Sequence, residues 1–432
     1  MQITGQSAAE IFDSVRLLAQ SGELQPGQAL PPVRDLAGRL DVNRNTVAAA
    51  YKRLVTAGIA VTRGRRGTVI REQTRLGEQE GTAPDTRLSD VASGNPNPDW
   101  LPDIAEAVAR ARYRPRLYGE ATVDAGLATH ARQWFAGEIP ERHEVELAHG
   151  AVDAIERLLA AHLVAGDRVV VENPCFLGSL NMLRVAGLEA VGVPVDREGM
   201  CSDALERALS AGAQAVILTP RAHNPTGCSL SARRARALRR VLEHHPHVLV
   251  VVDDHFALLA ETDYHSVIPD SAPRWALVRS LSKALGPDLR LALVASDPPT
   301  AQHLRLRLAP GSSWVSHLLQ DIARACLTHD AVASQIARAR EDYARRRHHL
   351  ATALADRGIT AATPADGLNL WLPLARDSQP LVFALAKRGW LVRGGEAFSV
   401  GESVHGLRIT VSTLDEPQAR RLADDIRHSL GE

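Results

Sequence analysis

No run of about 18 consecutive apolar residues occurs in this 432-residue chain, so no membrane-spanning helix is expected. The N-terminus lacks the basic-then-apolar layout of a secretory signal. Cysteine is scarce: Cys175, Cys201, Cys228 and Cys326 are scattered, with no CxxC pair. That argues against a disulfide framework or a cysteine zinc site and fits a reducing cytoplasm, which is the expected location. Histidines cluster in His244-His245-Pro246-His247 and His348-His349. Adjacent histidines on polar helix ends read as solvated surface, so no metal site is expected. Hydrophobic residues make up 45% and charged residues 23%, an ordinary globular composition on a chain long enough for more than one domain.

Net charge is zero, but it is unevenly spread. Residues 1–75 hold eleven basic and six acidic side chains, a net +5; the remainder holds 39 and 44, a net −5. A basic head on an acidic body points to a head that meets a polyanion.

The head has a readable plan. Residues 6–21 form an amphipathic helix, with Ala9, Phe12, Val15 and Leu18 or Ala19 at helical spacing. A second, short helix spans 34–40. Asp41-Val42-Asn43 is a tight turn, with Asn43 as N-cap of a third helix over 44–57. Residues 59–62 and 68–70 then alternate like two strands, joined by Arg63-Gly64-Arg65-Arg66-Gly67. This order predicts a winged helix-turn-helix on double-stranded DNA. Asn43, Arg44, Asn45 and Thr46 open the helix that enters the groove, where arginine suits guanine and asparagine suits adenine. Arg63, Arg65 and Arg66 are placed to meet phosphate or the minor groove. A small helical interaction domain with a basic loop is the competing interpretation.

Leu30-Pro-Pro-Val-Arg34-Asp-Leu-Ala, Val42-Asn-Arg-Asn-Thr-Val47, Tyr51-Lys52-Arg-Leu and Arg65-Arg-Gly67-Thr resemble the DNA-binding domain of GntR-type regulators. The resemblance assigns DNA contact to Arg34, Arg44, Thr46 and the wing glycine Gly67; Lys52 is also expected to meet DNA. The DNA-binding domain is thus expected over 1–71. Residues 72–88, polar and without periodicity, are expected to be a flexible linker.

From residue 89 to 432, helical and strand patterns alternate. Apolar strands such as 168–172, 215–219 and 248–253 imply a mostly parallel sheet covered by helices. Ligands on such sheets bind beyond the strand C-terminal ends. Polar motifs sit there. His149-Gly150-Ala151-Val152 opens a helix whose free amides suit a phosphate. Glu172-Asn-Pro-Cys-Phe176 presents an aromatic, Arg221-Ala-His-Asn224-Pro-Thr-Gly227 a pre-proline asparagine, and Asp253-Asp254 a carboxylate. Each alone fits a turn, a core residue or a helix cap as well. Ser280-Leu-Ser282-Lys283, with Arg290 beyond it, supplies a lysine able to attack an aldehyde, two hydroxyls and a guanidinium.

In order and spacing these motifs resemble fold-type I pyridoxal 5'-phosphate (PLP) enzymes of the aspartate aminotransferase class. The resemblance implies that Lys283 forms the internal aldimine. It implies that Gly150, Ala151, Val152, Ser280, Ser282 and Arg290 hold the phosphate, and that Phe176 stacks on the ring. Asn224 meets the ring oxygen and Asp253 the pyridine nitrogen. Gly406-Leu-Arg408 matches the arginine that grips a substrate carboxylate. Leu117-Tyr118-Gly119 matches the tyrosine that reaches the neighbouring subunit's phosphate, which implies a homodimer, head-to-tail by the same resemblance.

A GntR-type head on an aminotransferase-like body is the architecture of the MocR subgroup. Within it the motifs resemble a regulator of vitamin B6 salvage and pyridoxal kinase expression. The body departs from the enzyme pattern: His255 and Phe256 stand where a ring-tuning tyrosine is usual, and Ala151 and Val152 offer no hydroxyl to the phosphate. The expectation is therefore a transcription regulator that senses PLP, with residual transamination at most. Two rivals stand beside it: a regulator whose effector is an amino compound bound as an external aldimine, and a working aminotransferase.

Overall fold

The computed structural model describes residues 2–62, 67–71, 78–81, 86–111 and 113–431. It forms two compact units, Met1–Arg75 and Leu76–Glu432.

In the first unit, helix α1 (Ala8–Gln20) is capped by Ser7, whose hydroxyl accepts from the Glu10 amide. Its buried stripe is Ile11, Val15 and Leu18. The stripe is therefore rotated from the expected one: Ala9 is exposed and Phe12 only half-buried. Helix α2 (Val33–Leu40) ends where Asp41 turns left-handed, at φ 52°. An aspartate tolerates this conformation because its short polar side chain bonds locally. Helix α3 (Arg44–Thr56) starts at Asn43, whose side chain accepts from the Asn45 amide at 2.8 Å. Strands β1 (Ala60–Thr62) and β2 (Thr68–Ile70) pair antiparallel, Ala60 opposite Ile70. Val47, Ala50, Tyr51 and Leu54 of α3 pack on Ile11, Val15 and Leu36 in one small core. The Tyr51 hydroxyl donates to the Pro31 carbonyl at 2.8 Å, tying α3 to the chain before α2. Helix, short helix, helix and hairpin in this order is a winged helix-turn-helix.

The second unit is built on an eight-stranded sheet. In spatial order its strands are β3 (Glu144–Ala148), β10 (Ala292–Ser296), β9 (Trp275–Ser280), β8 (Leu249–Asp253), β7 (Ala215–Leu218), β4 (Arg168–Asn173), β5 (Glu189–Asp196) and β6 (Gly199–Met200). β9, β8, β7, β4 and β5 run parallel, while β10 is antiparallel to β9. The parallel strands are almost continuously apolar because both faces are covered, one by the cluster around Val170, Val250 and Leu277, the other by that around Val169, Val251 and Val278. A smaller three-stranded sheet follows: Asn369–Pro373, Gly406–Thr410 and Arg393–Gly394. Helices Asp330–Ala355, Gln379–Lys387 and Glu416–Gly431 close its core around Leu370, Leu407 and Ile409. The fold class is thus the expected one, a mixed, mostly parallel α/β body with a smaller C-terminal α/β part.

Topology gathers the polar motifs. The C-terminal ends of β3, β4, β7, β8 and β9 lie along one sheet edge, and antiparallel β10 begins at that edge, just after Arg290. Stations far apart in sequence meet there for that reason alone.

Candidate cofactor site and DNA-facing helix

A cavity of about 160 Å³ opens at that edge, lined among others by Ala151, Val152, Phe176, Asn224, Asp253 and Lys283. His255, Ser280, Ser282 and Arg290 complete its polar wall. All but two of the expected body residues outside the carboxylate clamp are therefore brought together. Of those two, Gly150 sits just behind the wall, at φ 92°. A Cβ there would stand 3.4 Å from the Arg290 guanidinium, so the bare backbone lets the arginine lie against the helix start. Tyr118 does not line the cavity; it is 92% exposed and packs edge-on against Trp314.

The two adjacent aspartates have different fates. Asp254 is fully buried; Arg221 donates to both its oxygens at 2.8 Å, and the fully buried Arg279 donates to one at 3.0 Å. Arg279 also lies over the Trp134, Phe135 and Tyr264 rings. Asp253, 7% exposed and facing the cavity, has an Oδ1 with no partner. Burial, reinforced by Asp254, pushes its carboxyl up to about 7. A cationic ring nitrogen placed there would relieve that cost. The rival role as helix cap does not hold, since β8 is followed by turns rather than a helix.

Lys283 donates from Nζ to the Gly94 carbonyl at 2.7 Å. Burial brings its ammonium down to about 8, opposed by Glu80 and aided by Arg408. A lysine so placed yields a free amine near neutral pH, as nucleophilic attack requires. Phe176 is fixed from below by Gly178, where a Cβ would fall 2.4 Å from the ring. His255 is driven down to about 4 by burial and by Lys283, so it faces the site as neutral imidazole.

Arg408 is fully buried on its strand. Its Nη1 donates to Asn224 Oδ1 at 3.0 Å and to Glu80 Oε1 at 2.5 Å. Glu80 was not among the expected site residues. It falls in the stretch read as flexible linker, yet residues 78–81 are fastened to the body. Gly94, the arginine partners of Asp254, and Gly178 also escaped sequence reasoning.

In the head, Arg34, Asn43, Arg44, Asn45 and Lys52 are exposed and Thr46 half-exposed, with Asn43 to Thr46 together at the start of α3. Gly67 takes φ 70°. Arg63, Arg65 and Arg66 lie outside the described residues.

Comparison with known proteins matches this architecture. A family of aminotransferase class I and II matches residues 87–426, and bacterial regulatory proteins of the gntR family match residues 7–70. The vitamin B6 salvage pathway transcriptional repressor PtsJ of Salmonella typhimurium is 54% identical over 428 residues, 99% of each chain. The chain belongs to the MocR-type regulators, with a gntR head and an aminotransferase class I and II body. Among solved structures, a kynurenine aminotransferase of Pyrococcus horikoshii aligns at TM-score 0.71 with 23% identity, over 80% of this chain and 92% of that one. The α-aminoadipate aminotransferase LysN of Thermus thermophilus, solved with N-(5'-phosphopyridoxyl)-L-leucine, aligns at 0.69 with 24% identity over the same shares. These two share the fold of this regulator's body.

Aminotransferase class I and II membership implies PLP for the cavity, and the donor set fits it. The unpartnered buried carboxylate of Asp253 suits a pyridine nitrogen. Ser280, Ser282, Arg290 and the N-terminus of the helix Ala151–His162 offer donors to a phosphate. When bound, PLP supplies an electrophilic aldehyde carbon and an electron-withdrawing ring.

Proposed function

We propose that this regulator binds PLP in the body cavity and represses vitamin B6 salvage genes, pyridoxal kinase among them, with PLP as its signal. Asp253 carries the proposal: a buried carboxylate that costs stability unless a cationic ligand meets it, in a chain whose other unit is a DNA-binding head. Lys283 anchors the ligand, Phe176 stacks on it, Asn224 donates to its ring oxygen, and Ser280, Ser282 and Arg290 hold its phosphate. Similarity to PtsJ supplies the pathway and the sign of regulation. The regulator acts as a homodimer, with Tyr118 reaching the partner's phosphate; its exposure leaves it free to do so. Paired heads then meet paired half-sites.

The test is fluorescence anisotropy at fixed salt. The DNA is a fragment from upstream of this protein's own gene or of a neighbouring pyridoxal kinase gene, with PLP-free and PLP-loaded protein. PLP alone is expected to change the affinity several-fold. Unchanged affinity with binding intact would reduce PLP to a fixed prosthetic group and remove it as the signal. Arg408 favours a second reading, in which an amino acid joins PLP as effector; it is distinguished by whether an amine must be added before DNA binding responds.

A further inference from the structure

Arg408 holds a fully buried positive charge, and most of its partners are neutral: the Asn224 side-chain oxygen and the Ala92 carbonyl. Its guanidinium lies 5.1 Å from the Phe398 ring centre. A buried charge so placed needs an anion, and Glu80 provides it. Glu80 Oε1 accepts from Arg408 Nη1 at 2.5 Å and from Asn224 Nδ2 at 3.2 Å. The same asparagine lines the cofactor cavity. Glu80 comes from the stretch that separates head from body in sequence, and that stretch is fastened on both sides of it. Glu78 forms an ion pair with Arg393, which also donates to the Gln79 carbonyl at 3.0 Å. Asn181 donates to the Glu78 carbonyl at 3.1 Å, and the Gly81 amide to Ser93 at 3.0 Å. Gly94 makes the room: at φ 68°, a Cβ there would stand 2.8 Å from Glu80 Oε2. The carbonyl of that same Gly94 receives the Lys283 ammonium.

We propose that Glu80 is a built-in occupant of the carboxylate subsite formed by Arg408 and Asn224, and that a free amino acid enters only by displacing it. This rests on the cofactor-site reading above, which places the incoming amine at Lys283. The interdomain stretch is thereby a latch. While closed, it screens the site from cellular amino acids and leaves PLP as the ligand that enters. When a carboxylate takes Arg408, residues 78–81 are released, and the tether to the head lengthens. No bond is made or broken; one carboxylate replaces another on the same guanidinium.

The test compares the full chain with its Glu80→Ala variant, both PLP-loaded. The probe is L-alanine, with ethylamine as its carboxylate-free counterpart, read by the visible absorbance of the bound cofactor. A latch closed about nine-tenths of the time raises the apparent dissociation constant roughly tenfold. L-alanine is therefore expected to half-saturate Glu80→Ala at about one-tenth of the wild-type concentration, with ethylamine changed less than about twofold. Equal half-saturation by L-alanine in both proteins, or an equal gain for ethylamine, would overturn the proposal.

A second arm needs no cofactor. Trypsin cleavage after Arg75 and Arg87, which flank the latch in sequence, is expected to quicken in Glu80→Ala and in wild type given high L-alanine. Cleavage indifferent to both would overturn the latch even if PLP binding stands. Quickened cleavage with no absorbance response to any amine would uphold the latch and defeat the cofactor reading instead. Glu80→Gln, which keeps the shape and drops the charge, serves if the alanine variant does not fold.

Discussion

Replacing Asp253 by asparagine should make the ligand-free protein more stable while spoiling its ligand site. In the folded body this carboxyl sits at about 7, against 3.8 for a free aspartate. An acid whose folded value is raised above its unfolded value lowers stability as pH rises. Below the unfolded value both states hold the proton and nothing is lost. Between the two, the unfolded chain gains by ionising and the folded chain does not. Above about 7 the loss is complete. At 1.36 kcal/mol per unit, the three-unit difference amounts to about 4 kcal/mol at pH 8 and to less than half of that at pH 5. Asp253→Asn removes this penalty and keeps the shape. Thermal unfolding of the ligand-free body should therefore move up by several degrees at pH 8, and by clearly less at pH 5. PLP should then raise the unfolding temperature of wild type much more than that of the variant, because only wild type gains a pair for its buried charge. A variant no more stable than wild type at pH 8, or equally stabilised at both pH values, would refute the view that Asp253 is an unpaired charge awaiting a cation.

Lys283 is one of three lysines in the chain, with Lys52 and Lys387, so a borohydride-trapped PLP adduct is readily located by peptide mass. Lys283→Ala should abolish it, and in wild type its rate of formation should rise with pH through about 8, as the ammonium loses its proton. Gly178→Ala should push the Phe176 ring into the cavity, since its Cβ would fall 2.4 Å from the ring, and weaken PLP binding at least tenfold by titration while leaving DNA binding by PLP-free protein unchanged. Arg44→Ala should cost about 1–3 kcal/mol in operator affinity by anisotropy and relax discrimination at one base position, whereas Lys52→Ala should weaken all sequences alike and lower the salt slope by about one. Arg279→Met should destabilise the body by about 3–5 kcal/mol in denaturant unfolding, because it strips one of two cations from the buried Asp254.

The head was legible almost residue by residue. Its helices are short and punctuated by residues whose local chemistry ends or starts them, such as Asn43 capping α3 and Gly58 stopping it at φ 71°. The exception is the register of α1, where Ala9 and Phe12 stood as plausibly at helical spacing as Ile11; only packing against Val47 and Leu54 decides for Ile11. In the body, motif order announced the site. The carboxylate clamp was legible only as Arg408, because its partner Glu80 lies 328 positions away in sequence and in a stretch with no hydrophobic periodicity. Propensity and pattern describe what a segment does by itself. They carry no information about a polar residue whose partners all lie far away in sequence.

The Asp253-Asp254 pair shows where sequence stops and geometry begins. Successive side chains on a strand point to opposite faces, so two adjacent aspartates at the end of β8 cannot share one environment. One meets the arginines on its face; the other meets the cavity. Which does which depends on the register of β8 against β9, where Asp253 stands opposite Val278. Arg279, the next residue along, therefore turns to the face that Asp254 occupies. A one-residue slip of β9 against β8 would set Arg279 opposite Asp253, on the cavity face, and take it from Asp254. The same slip would bring Leu281 to the place of Ser280 at the edge where the phosphate donors gather. The register that satisfies Asp254 is thus the register that leaves Asp253 unpaired and Ser280 in the cavity wall. Strand pairing secures the fold and fixes the ligand site in a single choice.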